Sequence, residues 1–410
     1  MMPEIVTHNA AQALAELDEA QLNEMVRRVV GTPVTVTAWQ AQLLGGLDSS
    51  PIPGGVYKLT GTAVTPTHNS LDWCLVVKIL RSPEGLTMPD GTTLTKEMAE
   101  TPNNFGYWPR EALVAQSSLP DELPTGLRLP RFLGVTSVSE QECWLWQECL
   151  PEEPAWQWAA YREAAFRLGR WQGTAVSHPQ NHPWLSQEWL AKWVHGPLTV
   201  IFGLVDGMDG YNHPLLAAHF APEELAALRQ LWADRQAILD RLAQLPKTIC
   251  HLDAHRGNLS WQGDDLALID WAFVGEGALG EELAAFVGAT LLLDYVPLTE
   301  AEPLEQVAFE GYLAGLRAAG WSGDEASIWA AYRCAMPLRY APVSLASMLR
   351  TVMQPEFAAD WERKTGQPLA EILAHRAGLV RFYLSRLPEI EEVGKGNLLA
   401  SGNGRFPFSG

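Results

Sequence analysis

Strand-like runs of hydrophobic positions dominate the first third of this chain after an opening helical pattern, and spacing by threes and fours dominates afterwards. Residues 9–30 place Ala13, Leu14, Leu17, Leu22, Met25, Val26 and Val29 at helical spacing, and Gly31 and Pro33 end that helix. Residues 34–39 and 56–60 alternate as half-buried strands. Residues 73–80 form a continuous apolar strand with one lysine, Lys78, near its end. After a turn-rich stretch (82–104), a helix is expected over 107–117 with Pro109 in its first turn. Residues 129–138 and 142–149 then read as a strand pair.

Beyond residue 150 the period changes. Ala164, Ala165, Leu168, Trp171, Gln172 and Ala175 line one face of a helix, while 177–220 is irregular and rich in His, Pro, Trp and Gly. One helix is expected over 222–245, entered at Pro222 and stopped by Pro246, and helical spacing resumes from Val307 to Leu384. The pattern predicts an α+β chain: an antiparallel sheet with one key helix first, a mostly helical part second. Boundaries fall at 1–150, 151–395 and a low-complexity tail, 396–410, expected to be disordered. Pro151 and Pro154 mark the junction.

The densest chemistry lies within the second, mostly helical part. His251-Leu-Asp-Ala-His-Arg-Gly-Asn258 reads H-x-D-x-x-x-x-N. A short hairpin follows, turning at Gln262-Gly-Asp-Asp265, and a hydrophobic run leads to Asp270-Trp271. Phosphoryl transfer asks for such a trio: a carboxylate to take the proton of an attacking hydroxyl, and an amide plus a second carboxylate to hold a divalent cation. A lysine buried in an apolar strand, such as Lys78, needs an anion beside it. Glu111, in the helix after the turn-rich stretch, is the chosen partner, although an acidic residue there also suits the helix dipole.

The Asp-to-Asn spacing with a downstream Asp matches the catalytic loop of protein kinases, and Lys78 sits like the lysine of their third strand. The form of the motif, followed by Ile269-Asp-Trp271, resembles the aminoglycoside phosphotransferase family, whose loop commonly reads HGDLHPGN and then IDW. His255, Gly257 and Asn258 match that loop, while Leu252 and Arg256 replace its usual Gly and Pro. Trp108-Pro-Arg-Glu-Ala-Leu113 is similar to a family segment, W-x-R-E-A-L.

The resemblance covers roughly residues 35–350 and implies a protein-kinase-like, two-lobe fold that phosphorylates a hydroxyl of a small molecule. It implies ATP as donor, with GTP as the alternative, and Mg²⁺. Asp253 would be the base, Asn258 and Asp270 the metal ligands, Lys78 with Glu111 the phosphate grip, and His251 a brace of the loop. Backbone groups near Gln147, Glu148 and Cys149 would meet the adenine edge, and the small residues between Gly45 and Gly55 are candidates to approach phosphates. Glu282 matches a structural Asp of the family; with Glu276 and Glu281 it is also a candidate anionic wall for a substrate amine. The lack of a kinase activation segment after Asp270 argues against a protein substrate, and the resemblance implies an aminoglycoside-, choline- or sugar-like acceptor.

Two other readings compete. A nucleotide-sensing pseudokinase would keep the fold without transfer, and a hydrolase using His251 and Asp253 would leave Lys78 unexplained.

Charge and cysteine content add constraints. With 29 basic and 48 acidic residues the net charge is −19, which disfavours nucleic acid as partner. The five cysteines are scattered without a C-x-x-C pair and are expected as reduced thiols of a cytoplasmic protein. His178, His182 and His213 lack metal-ligand spacing. No apolar run is long enough for a membrane span, and no basic-then-apolar leader opens the sequence.

Overall fold

Helix α1 (Glu19–Val30) begins where the Asp18 side chain accepts the Gln21 N–H at 2.7 Å, and it ends at Gly31 with φ 75°. The computed structural model describes residues 14, 17–45, 54–87, 93–104, 106–151, 153–179, 181–200, 202–203 and 212–387. The start of the helix expected over 9–30, most of the Gly45–Gly55 loop and the tail at 396–410 lie outside them.

Contacts divide the chain into two units. The first comprises Met1–Pro154, His182–Leu185 and Ser260–Phe273, and the second takes the remainder. The hairpin and Asp270 therefore group with the sheet, although the periodicity change had placed them in the helical part.

In the first unit, β1 (Thr35–Gly45), β2 (Val56–Val64), β3 (Ser70–Arg81), β5 (Phe132–Ser139) and β6 (Glu142–Glu148) form one antiparallel sheet, ordered β1-β2-β3-β6-β5. The short β4 (Leu127–Arg128) instead pairs in parallel with Asp265–Leu268 of the hairpin. Strand β3 lies between β2 and β6 and is apolar on both faces, which explains its unbroken hydrophobic run. Trp73, Leu75, Val77 and Ile79 pack with Leu22, Met25 and Val26 of α1. Leu80, on the opposite face, packs with Trp108 and Ala112 of α2 (Arg110–Gln116) and its approach. Because strand side chains alternate, Lys78 shares that second face, the face of Glu111. Helix α2 is shorter than the expected 107–117, and Pro109 is its N-cap rather than part of its first turn.

The expectation of five free thiols is corrected here. Cys74 and Cys149 form a disulfide, with Cα atoms 5.6 Å apart; Cys143, Cys250 and Cys334 are free and buried. The pairing follows from register: Leu75 lies opposite Glu148 across antiparallel β3 and β6, so the next residue on each side comes face to face. Scattered positions in sequence carry no trace of that register.

In the second unit, α3 (Trp158–Ser177) crosses α5 (Ala301–Ala318) closely enough that a Cβ on Gly169 or Gly315 would strike a facing backbone carbonyl. Helix α4 (Glu281–Leu292) is buried from Glu281 to Leu291, and α6 (Glu325–Met353) and α7 (Leu369–Leu384) pack around it. Three short strands, Ser186–Gln187, Gly275–Ala278 and Lys247–Cys250, form a small sheet that delivers the chain to His251. The single helix expected over 222–245 is two, Pro222–Ala233 and Arg235–Ala243. At the break, Asp234 has ψ 0°, and the Arg235 guanidinium takes the Trp232 carbonyl at 2.7 Å. The stretch 177–220 holds short helices, Trp189–Trp193 and Pro214–His219 among them, where irregular chain was expected. Among the described residues, no helix is long and apolar enough to cross a membrane.

Candidate active site

In the first unit the Lys78 ammonium sits between two carboxylates, 2.5 Å from Glu111 Oε2 and 2.6 Å from Asp270 Oδ1. Lys78 and Glu111 are buried, whereas Asp270 is half exposed. Burial opposes the lysine's charge, but Asp270 and Glu111 outweigh it and hold the ammonium above its usual range. Burial also pushes the Glu111 carboxyl up, with Lys78 pulling the other way. The arrangement is one fixed cation flanked by an enclosed acid and a solvent-facing one.

Asp270 reaches this position through a left-handed backbone, φ 64°, at the end of the hairpin. Trp271, fully buried, donates its indole N–H to the Leu268 carbonyl at 2.6 Å and locks the turn. Beside Glu111, the fully buried Arg110 donates to the carbonyls of Pro102 and Ala272 at 2.7 Å, Asn104 at 2.5 Å and Trp184 at 3.0 Å. Arg110 thus fastens α2 to the chain just past Asp270. The sequence signals for this residue were its place next to Glu111 and the arginine of the W-x-R-E-A-L resemblance, neither of which showed its four carbonyl partners.

In the second unit, residues 251–258 form a loop held from inside. The Asn258 amide donates to the Asp253 carbonyl at 2.9 Å and to Asp253 Oδ2 at 3.1 Å. The other carboxylate oxygen, Oδ1, accepts from Arg339 Nη2 at 2.9 Å. His251 is fully buried, and its Nδ1 accepts the Asp253 N–H at 3.3 Å. His255 Nδ1 accepts the Gly257 N–H at 3.0 Å, closing the 3₁₀ turn Arg256–Asn258. Leu252 has φ 66°, a conformation that favours glycine.

Glu282, at the start of α4, supports this loop. Its carboxylate accepts the N–H groups of His251 at 2.6 Å, Leu252 at 3.3 Å and Ala254 at 3.4 Å, and the Gln172 amide at 3.0 Å. Burial nevertheless pushes its carboxyl up to about 7, against the pull of those backbone donors. Glu281 is also buried and accepts the Ala278 N–H at 2.9 Å, so of the proposed acidic wall only Glu276 faces solvent. The wall is not formed: the two helix-entry acids serve backbone donors.

The adenine-facing candidates are divided. Gln147 is buried within the β6 pairing. The Glu148 N–H donates to Arg131 O at 3.0 Å, and its carboxylate meets Arg128 Nη1 at 2.5 Å and the Arg131 N–H at 2.6 Å. Cys149 is the first residue past the strand and carries the disulfide. Of the three histidines, His182 meets Glu122 at 3.1 Å and His213 caps Pro214–His219. Among the described residues, no cluster of three or more His, Cys, Asp and Glu is arranged to hold a metal. Within the first unit the half-exposed Asp270 carboxylate is an oxygen donor open to a cation, and within the second the Asn258 amide oxygen is one whose nitrogen is already engaged. Carboxylate and amide oxygens are the donor type that suits a hard divalent cation such as Mg²⁺, which keeps waters and takes further ligands from phosphates.

Residues 119–322 match the model of the phosphotransferase enzyme family. Among solved structures, a spectinomycin phosphotransferase in complex with ADP and spectinomycin is 14% identical, with a TM-score of 0.46 and coverage of 90% of this chain and 99% of that one. An amicoumacin kinase is 12% identical with a TM-score of 0.46, covering 88% and 97%. An ethanolamine kinase of Plasmodium vivax is 10% identical with a TM-score of 0.46, covering 92% and 95%. No curated protein sequence matches this chain.

Proposed function

The chain belongs to the phosphotransferase enzyme family, and from that premise we propose that it moves the terminal phosphoryl group of ATP to a hydroxyl of a small molecule. The observation that carries the reading is the buried Lys78 ammonium held at 2.5 Å by Glu111 and at 2.6 Å by Asp270. An enclosed cation with one solvent-facing acid beside it is suited to polyphosphate and a divalent ion.

In this reading, Asp253 accepts the proton of the acceptor hydroxyl. Its carboxylate is oriented by Asn258 on one oxygen and Arg339 on the other, and His251 and Glu282 hold the loop's backbone. Lys78 grips the phosphates, and Glu111 keeps that lysine aimed and charged. Asn258 and Asp270 would hold Mg²⁺, which when bound neutralises phosphate charge. Chain atoms past β6, at Cys149, would meet the adenine edge. Catalysis by such parts is positioning and charge stabilisation rather than covalent chemistry.

The acceptor is an aminoglycoside-, choline- or sugar-like alcohol. A panel of such compounds, assayed for ADP release with Mg·ATP and with Mg·GTP, tests both acceptor and donor. Asp253→Asn should lower turnover by roughly 100-fold or more while nucleotide affinity stays within about twofold. Equal turnover in variant and wild type removes Asp253 from the base role. Absence of acceptor-dependent ADP release across the panel overturns the proposed activity.

A further inference from the structure

Arg339 stands 86 residues from Asp253 in sequence, yet its guanidinium bonds to Asp253 Oδ1 at 2.9 Å and to the Leu252 carbonyl. The arginine is 9% exposed. A guanidinium so enclosed is costly unless its surroundings compensate it. Compensation comes from several directions. The Trp189 ring lies 4.4 Å from the guanidinium carbon and the Tyr340 ring 5.0 Å. The Tyr340 ring in turn rests on Gly288 of α4, where a Cβ would fall 2.5 Å from it.

The helix that bears Arg339 is unusual at this point. Pro337 and Pro342 both lie inside α6 and bracket Arg339. Each lacks a backbone donor and crowds the preceding turn. Between them Arg339 is buried and directs two guanidinium nitrogens at the 251–258 loop. The two donors it presents go to adjacent residues, the carbonyl of Leu252 and the carboxylate of Asp253. They therefore fix both the left-handed turn at Leu252 and the rotation of the Asp253 carboxylate.

We propose that Arg339 is a positioning residue for phosphoryl transfer: by pinning Leu252 and Asp253 together it aims the Asp253 carboxylate at the acceptor hydroxyl. This rests on Asp253 being the base. Arg339 acts through Asp253 and belongs to neither the metal set nor the phosphate grip.

The test has one arm independent of activity and one that reads it. In full-length protein, Arg339→Ala, Asp253→Asn and the double variant form a cycle in urea denaturation. The pair should couple by on the order of tenfold in the folding equilibrium constant, and additive effects overturn the proposal whether or not an acceptor is known. With an acceptor in hand, Arg339→Ala at a urea-verified folded temperature should lower kcat by about 10- to 100-fold with little change in KM for ATP. Added guanidinium chloride at millimolar, non-denaturing concentration should restore part of that kcat, and Arg339→Lys, which cannot reach both oxygens in one plane, should remain well below wild type. Unchanged kcat, or a loss that falls on KM alone, overturns the role. An inactive wild type counts against the proposed activity, leaving the coupling arm to decide whether Arg339 orders Asp253.

Discussion

The carboxylate of Glu282 accepts the backbone N–H of His251 at 2.6 Å, joining the first turn of α4 to a loop 31 residues earlier. Because burial pushes this carboxyl up to about 7 from an ordinary 4.5, the folded protein binds that proton more tightly than the unfolded chain. The sign follows: between about pH 4.5 and 7 the folded state holds more protons, so this group's contribution to stability falls as pH rises through the window. Spread over that interval it amounts to roughly 3 kcal/mol. The stability of wild type relative to Glu282→Gln, whose amide does not titrate, should therefore fall as pH rises from about 4.5 to 7 and level off above that. A difference between the two proteins that does not vary from pH 5 to 8 would refute the shift.

Lys78 and Glu111 are both buried, and removing the lysine leaves Glu111 without its cation, whereas removing Glu111 leaves Lys78 with Asp270. Lys78→Met should destabilise the protein by about 2–4 kcal/mol, because the enclosed Glu111 then lacks its cation. Adding Glu111→Leu to that variant should recover much of the loss, since an apolar pair of similar volume has no charge to solvate. Chemical denaturation of the two single variants and the double variant checks this. Additive losses would mean that the pair does not interact as its 2.5 Å separation indicates.

How much of this was legible in the sequence depended on range. Lys78 could be read because a charge inside an apolar run is visible locally, and the alternation of β3 set which face it shares with Leu80 and α2. The hairpin that ends at Asp270 could be read from its turn residues, and it spans Leu259–Gln262 and Asp265–Leu268. Arg339 could not: nothing within ten residues of it shows that its partner is Asp253, and only tertiary packing brings them together. The Cys74–Cys149 pair failed for the same reason, since it is a consequence of strand register. The break at Asp234 escaped periodicity because the apolar residues on either side keep similar spacing, and the helix division leaves no Gly or Pro to mark it.

Leu252 combines two opposed effects. Its φ of 66° penalises any side chain with a Cβ by about 1–2 kcal/mol, which glycine would relieve. The side chain is also 1% exposed, and deleting a buried leucine costs about 2–5 kcal/mol. Burial is the larger, so Leu252→Gly should be net destabilising, by about 1–3 kcal/mol, despite the favourable backbone. A thermal or urea measurement showing a gain in stability would mean that backbone strain dominates at this turn.

Asp270 is the only exposed acid touching Lys78 among the described residues, and under the proposed function its removal would separate a metal role from the phosphate grip. Asp270→Ala leaves Lys78 paired with Glu111, so the strand and α2 should stay together and the urea midpoint should change little. Binding of a fluorescent ATP analogue without Mg²⁺ should also change little. In contrast, the Mg²⁺ concentration needed for half-maximal enhancement of that binding should rise by about tenfold or more, because one of the few fixed oxygen ligands is gone. Glu111→Gln reverses the pattern: it keeps the exposed acid and releases the lysine, so nucleotide affinity should fall both with and without Mg²⁺. If Asp270→Ala instead weakened binding equally in both conditions, Asp270 would serve the lysine rather than the cation, and the metal would have to be held by other oxygens.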